Sequence, residues 1–170
     1  MKGITLIGMS GAGKSTIGRL LARYLDFYFL DLDEYIKEKE GVSHLEIMEK
    51  KGENELLRLE NKYALGLAYD KIVFAPSGSI IYSPQAMEKL KNATTIVYLN
   101  VSYEYLKERI KDNIQNRGII GLKDRGLKSV FSEREPIYIQ AAHHNIFCEN
   151  KKPENIASEI LKILEKGSHI

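Results

Sequence analysis

The segment Gly8-Met9-Ser10-Gly11-Ala12-Gly13-Lys14-Ser15 has the spacing G-x-x-x-x-G-K-[ST]. It follows a short apolar run at 4–7 and opens an amphipathic stretch, Lys14–Leu25, with Ile17, Leu20, Leu21 and Leu25 on one stripe. A strand, a glycine-rich turn and a helix form the context in which this spacing binds phosphate. Glycines let the backbone wrap an anion with its N–H groups pointing inward, in conformations a side chain resists. The helix N-terminus adds partial positive charge. Lys14 can reach the β- and γ-phosphates, and the Ser15 hydroxyl can ligate Mg²⁺. From average residue frequencies, a chance match in a chain of this length is on the order of 1%. The loop therefore points to a bound nucleotide, with Gly8, Gly11, Ala12, Gly13, Lys14, Ser15 and Thr16 as its contacts. By itself it does not separate kinase from GTPase or ATPase.

The alternation continues away from the loop. Apolar runs at 4–7, 27–30, 71–75, 95–99 and 145–148 read as five strands, nearly continuous in apolar residues as strands covered on both faces should be. Helical periodicity fills the gaps at 43–50, 53–69, 84–92, 102–114 and 153–165. Strands alternating with helices imply an α/β fold with a parallel sheet and helices on both faces. The least regular stretch is 113–127, with Gly118, Gly121 and Gly126, and a loop that long inside a compact domain is a candidate lid. The chain reads as one domain over 1–166, followed by a tail, 167–170, expected to be disordered.

Composition narrows the partners. The 170 residues carry 25 basic and 23 acidic side chains, a net charge of +2. That balance gives no electrostatic case for nucleic acid. One cysteine, Cys148, excludes a disulfide framework and a multi-cysteine zinc site. No apolar run approaches ~18 residues, and the N-terminus lacks a signal-peptide h-region, so a soluble cytoplasmic protein is expected. His143-His144 have no acidic or cysteine pair at ligand spacing and read as structural.

The second strand runs into Asp31-Leu32-Asp33. Ligands of parallel sheets bind beyond the carboxyl ends of strands, so both carboxylates should face the phosphate loop. The competing reading is a helix cap, with Asp33 ahead of a helix at 34–39.

The ordered set of segments resembles the shikimate kinase family, a branch of the nucleoside monophosphate kinase-like P-loop fold. It comprises the phosphate loop, Phe29-Leu30-Asp31-Leu32-Asp33, Gly41-Val42-Ser43-His44-Leu45-Glu46-Ile47, and Gly52-Glu53 with Arg58. It continues through Val97-Tyr98-Leu99 with Arg109 to Arg134-Glu135-Pro136-Ile137-Tyr138. The resemblance spans nearly the whole chain. It implies a three-layer α/β/α sandwich with a five-stranded parallel sheet of order 2-3-1-4-5. It implies transfer of the γ-phosphoryl group of ATP, with Mg²⁺, to a hydroxyl of a carboxylated substrate. That substrate would be shikimate, converted by a monomer to shikimate 3-phosphate in aromatic amino acid biosynthesis.

The resemblance also implies roles. Lys14, Asp33 and Arg117 would be catalytic, with Asp33 orienting the acceptor hydroxyl and Arg117 closing over the transferring group as a lid arginine. Arg58 and Arg134 would clamp the substrate carboxylate, for which the planar guanidinium fork is suited. Asp31 would complete the magnesium site with Ser15. Arg109 would stack on adenine, and the segment at Lys152-Pro153 would line the base. The chain departs from the family in three places. The usual Gly-Gly-Gly turn after the third strand is Ser77-Gly78-Ser79, which adds two side chains where backbone meets the substrate. The lid's Arg-Pro-Leu-Leu is Arg117-Gly118-Ile119-Ile120. The glutamate expected three residues after Arg58 is Asn61, with Glu60 one place early. These changes keep a sister kinase for gluconate or a hydroxy-amino acid open. A nucleotide-dependent switch or non-catalytic module is the other alternative. It is disfavoured by the presence of Lys14, Asp33 and Arg117, and the Asn-Lys-x-Asp of a guanine site is absent.

Overall fold

The computed structural model describes residues 2–167. Five parallel strands, β1 (Gly3–Ile7), β2 (Tyr28–Asp31), β3 (Ile72–Ala75), β4 (Thr94–Asn100) and β5 (His144–Phe147), form one sheet of order β2-β3-β1-β4-β5. Helices cover both faces: α1 (Lys14–Leu25), α2 (Leu32–Glu40), α3 (His44–Lys51), α4 (Glu53–Gly66), α5 (Pro84–Ala93), α6 (Tyr103–Ile110), α7 (Leu122–Ala141) and α8 (Pro153–Gly167). The order is the one the resemblance implied. Among the described residues, no helix is long and apolar enough to cross a membrane.

β1 and β3 are buried at every position and β4 at most, which explains their continuous apolar runs. The edge strands β2 and β5 alternate instead, with Tyr28 and Phe147 on the surface. Arg19 on α1 covers the β2 edge, lying 4.7 Å over the Phe29 ring and pairing with Glu34. α7 is locked to the sheet by Tyr138, which stacks on Tyr98 of β4 with centroids 5.2 Å apart.

Several expected boundaries move. The helix expected over 53–69 stops at Gly66, because Leu67 turns extended and the Tyr69 hydroxyl donates back to Ala64 O at 2.7 Å. The helix expected over 102–114 stops at Ile110, and the chain continues through turns into a short 3₁₀ segment, Ile114–Asn116. α7 lies where no helix was assigned, and α2 matches the helix that the capping alternative placed at 34–39, begun two residues earlier. Gly126, with φ 74 and ψ 161, breaks α7 into a first turn and a longer arm. The irregular region thus ends near 121 rather than 127. The expected tail lies outside the described residues except for Gly167, the last residue of α8.

Candidate active site

The carboxyl ends of β1, β2 and β3 meet at one crevice, as a parallel sheet of this order requires. β1 delivers the phosphate loop, β2 delivers Asp31 and Asp33, and β3 delivers Ser77-Gly78-Ser79. A cavity of about 250 Å³ lies between them, lined by Ser10, Gly11, Gly13, Lys14, Ser15, Thr16, Asp31, Asp33, Arg109 and Arg117 among others.

The loop has the conformation its glycines allow. Gly11 sits at φ +94, and a Cβ there would lie 2.4 Å from Ile110 Cγ2, so the loop packs on α6 only as glycine. Ala12 is buried beneath the turn and donates to Met9 O at 3.1 Å. Lys14 Nζ folds along the loop and donates to Gly8 O at 2.8 Å and Met9 O at 3.1 Å. Burial pushes its pKa down to about 8, against the raising influence of Asp33 and Asp31.

Asp31, not Asp33, is the helix cap. Its Oδ1 accepts from Asp33 N at 3.0 Å and Glu34 N at 3.3 Å, and its Oδ2 accepts from the Ser15 hydroxyl. A cap carboxylate in contact with Ser15 fits a hard cation, which needs one or two protein oxygens when phosphates and water supply the rest. Asp33 is thereby released from capping. It lies in the first turn of α2, lining the cavity and accepting from Ser77 Oγ at 2.6 Å.

Arg117 reaches over the loop, donating to Ser10 Oγ at 3.3 Å and Asn113 Oδ1 at 2.8 Å. Burial and the neighbouring Arg109 lower its pKa. The segment after it is pinned to the domain: Gly121 N donates to Glu53 Oε1 at 2.7 Å, and Ile120 O accepts from Arg134 Nη2 at 2.9 Å. Arg109 lines the same cavity. Pro153 lies beside it in a shallow cleft with Ser15, Thr16 and Arg19, and Lys152 O caps the start of α8.

Behind the β3 turn lies Arg134, only 1% exposed. Its guanidinium lies 5.2 Å over the Tyr82 ring, and its Nε donates to Tyr82 Oη at 3.3 Å. Gly78 fits closely here: a Cβ would lie 3.0 Å from Tyr138 Oη and 3.1 Å from Arg134 Nη1, so these groups would have to give way by a few tenths of an ångström. Its flanking serines are tolerated because their hydroxyls turn to carboxyl groups, Ser77 to Asp33 and Ser79 to Glu60.

Arg58 does not join this group. Its side chain is 60% exposed and forks onto Glu55, with Nε–Oε2 at 2.8 Å. Helical phase explains the correction. One residue turns a helix by about 100°, so the face of α4 that points inward carries Leu56, Leu59, Glu60 and Ala64. The expected Arg-x-x-Glu spacing therefore places its glutamate on Glu60 and puts Leu57, not Arg58, at the arginine position. The apolar spacing of Leu56, Leu59 and Ala64 is the sequence signal for this inward face, and the burial of Glu60 on it is seen only in the structure. Arg58→Ala is expected to leave kcat and the acceptor KM within about twofold of the wild type, because exposed pairs of this kind contribute little. Steady-state kinetics checks this, and an acceptor KM raised tenfold would return Arg58 to the site.

Glu60 has no exposure and receives Ser79 Oγ at 2.8 Å on each carboxyl oxygen. Burial raises its pKa to about 7. A carboxyl raised in the folded state holds its proton where the unfolded chain has lost it, so its contribution is full below about 4.5 and falls as pH rises through about 7. Glu60→Gln should therefore match the wild type at pH 5 and exceed it by about 1–3 kcal/mol at pH 8. Urea midpoints at the two pH values test this. A gap that does not widen toward pH 8 rules it out.

A sheet of this order, a phosphate loop with its lysine, and two carboxylates and two arginines around one cavity define a P-loop phosphotransferase of the small-molecule kinase class. A model of the shikimate kinase family matches residues 10–165. A shikimate kinase of Sulfurihydrogenibium sp. (strain YO3AOP1) is 34% identical over 167 residues, 98% of this chain and 99% of that protein. The structure of the Acinetobacter baumannii shikimate kinase in complex with shikimate superposes with a TM-score of 0.91 at 29% identity, over 100% of this chain and 96% of that one. The Aquifex aeolicus vf5 shikimate kinase superposes with a TM-score of 0.84 at 34% identity, covering 98% of each chain. The chain belongs to the shikimate kinase family, and it is an ATP-dependent kinase that phosphorylates a hydroxyl group.

Proposed function

We propose that this protein transfers the γ-phosphoryl group of Mg·ATP to the 3-hydroxyl of shikimate. The observation that carries the reading is the meeting of Lys14, Asp33 and Arg117 at one cavity, with the buried Arg134 behind the β3 turn. The likeness to a structure that holds shikimate supports it. The reading places the enzyme in the cytoplasm as a monomer, with a lid over about 113–127 on a single domain.

In this mechanism the loop amides and Lys14 hold the β- and γ-phosphates. Lys14 would leave the carbonyls of Gly8 and Met9 for phosphate oxygens, which restore the charge that burial disfavours. Asp33 accepts the acceptor hydroxyl's hydrogen bond and takes its proton as the oxygen attacks. Arg117 compensates charge on the transferring group, and the docked lid excludes water. Arg134 holds the acceptor carboxylate through Nη1. Ser15 and Asp31 are the side chains that would hold Mg²⁺, which when bound supplies charge neutralisation at the phosphates. Arg109 and the Lys152-Pro153 segment flank the nucleotide.

A coupled ADP-release assay across shikimate, gluconate, homoserine and threonine tests the reading. Turnover with shikimate is expected. Turnover with another hydroxy acid and none with shikimate would replace it with the sister-kinase reading, and ATP binding without turnover on any acceptor would make the chain a binding module.

A further inference from the structure

Ser77 stands where the family carries a glycine, and its hydroxyl is committed to one atom. Asp33 lies half exposed between two cavities, the phosphate cavity and one of about 270 Å³ beneath the lid that is also lined by His44, Asn116 and Arg117. A carboxylate on the first turn of a helix has two free side-chain torsions, and an acceptor hydroxyl needs it in one orientation. Ser77 Oγ donates to Asp33 Oδ1 at 2.6 Å. His44, 8% exposed, brings Nδ1 to 3.5 Å from the same oxygen and walls off that side. No donor among the described residues bonds Oδ2. Ser77 is itself fixed: it is buried, follows β3 at once, and its carbonyl accepts from Ile80 N at 3.2 Å.

We propose that Ser77 is a positioning residue for phosphoryl transfer, its hydroxyl holding Asp33 Oδ1 so that Oδ2 alone meets the acceptor hydroxyl. The proposal rests on the reading of Asp33 as the acceptor-orienting carboxylate. It moves Ser77 from the substrate contact implied by the family's glycine turn to a contact one residue behind the substrate. The proton that leaves the acceptor oxygen then goes to Oδ2, the oxygen that no donor among the described residues bonds, while Oδ1 keeps the Ser77 hydrogen bond. A glycine at this position leaves the carboxylate to be oriented by other means. In this chain the side chain is accommodated with its hydroxyl bonded to Asp33 of α2, while the neighbouring Gly78 has no side chain beside Arg134 and Tyr138.

The test is steady-state kinetics with Mg·ATP and shikimate on the full chain. The variants are Ser77→Ala, Ser77→Gly, Ser77→Thr, Asp33→Asn and the Asp33→Asn/Ser77→Ala pair, each with its thermal midpoint. Ser77→Ala and Ser77→Gly should each lower kcat about tenfold with both KM values within about twofold, as expected for loss of one charge-assisted hydrogen bond. Ser77→Thr, which keeps the hydroxyl, should recover most of that loss. In the Asp33→Asn background, Ser77→Ala should change kcat by less than about twofold, because its effect runs through that carboxylate. The proposal is overturned by wild-type kcat in both Ser77→Ala and Ser77→Gly, or by a tenfold loss that persists in the Asp33→Asn background. It is equally overturned by a change confined to the acceptor KM, which would make Ser77 a substrate contact. Wild-type kcat in Asp33→Asn alone would instead sink the reading of Asp33, and that result is visible without any change at Ser77.

Discussion

Lys14→Ala is expected to lower kcat/KM for phosphoryl transfer by about 10³-fold while the chain stays folded. Nζ is the cation that the loop holds at the phosphate cavity, and it is buried with Asp31 and Asp33 close by. Its pKa, lowered to about 8, leaves it mostly charged near pH 7 but poorly solvated. An arriving triphosphate supplies the charge that the site lacks. Folding gains nothing from this lysine near neutrality. A base whose pKa falls from 10.5 to about 8 on folding binds fewer protons than the unfolded chain between those values. Its unfavourable contribution is therefore fully present below about pH 8 and is relieved as pH rises toward 10.5. Truncation removes that penalty and leaves the carbonyls of Gly8 and Met9 without this donor, two effects of opposite sign. A thermal midpoint within a few degrees of the wild type, with ADP release nearly abolished, is the expected pair of results. Activity within tenfold of the wild type would remove Lys14 from the mechanism.

Local chemistry explains which parts of this molecule were legible in the sequence. The phosphate loop, α1 and the five strands are specified by glycines, β-branched runs and a clean stripe. The structure moves the strand ends by one residue. α7 was hidden because its buried face, Leu127, Val130, Phe131, Arg134 and Tyr138, carries a charged residue in the stripe, while Pro136 and Gly126 break the pattern along the chain. Arg134 was found only through the family motif. α2 is visible in the sequence only through the capping alternative, because only Leu32 and Ile36 are buried among its nine residues and it lacks an apolar stripe. The error at Arg58 is one of phase: an arginine near the right place in sequence lies on the wrong side of α4, and only the burial of Glu60 fixes the rotation. The pairs Ser77–Asp33 and Ser79–Glu60, separated by 44 and 19 residues, join three elements and have no signature along the chain. The two serines could be seen as departures from a glycine turn, but not what they bond.

The phase of α4 makes Arg134 the larger test of the acceptor end. Among the described residues it is the one buried arginine, and with Arg58 turned to solvent the proposed function leaves it to carry the anionic end of the substrate by itself. Its Nε and Nη2 are spent on Tyr82 Oη and Ile120 O, which aim Nη1 at the Gly78 turn. Under the proposed function, the acceptor carboxylate would meet the guanidinium beside this turn. Arg134→Leu removes the charge and leaves a carboxylate to be buried without a partner, so the acceptor KM should rise by about 10²–10³-fold. The KM for ATP should stay within about threefold, since the phosphate loop is untouched. Arg134→Lys should recover only part of the loss: a lysine keeps the charge but cannot bond Tyr82, Ile120 and a carboxylate from one planar fork. The loss of the Ile120 bond should also loosen the lid, and faster amide exchange at 118–121 would report it. If the acceptor KM of Arg134→Leu instead stays near the wild-type value, the carboxylate is held elsewhere, and Arg134 serves only to dock the lid on α7.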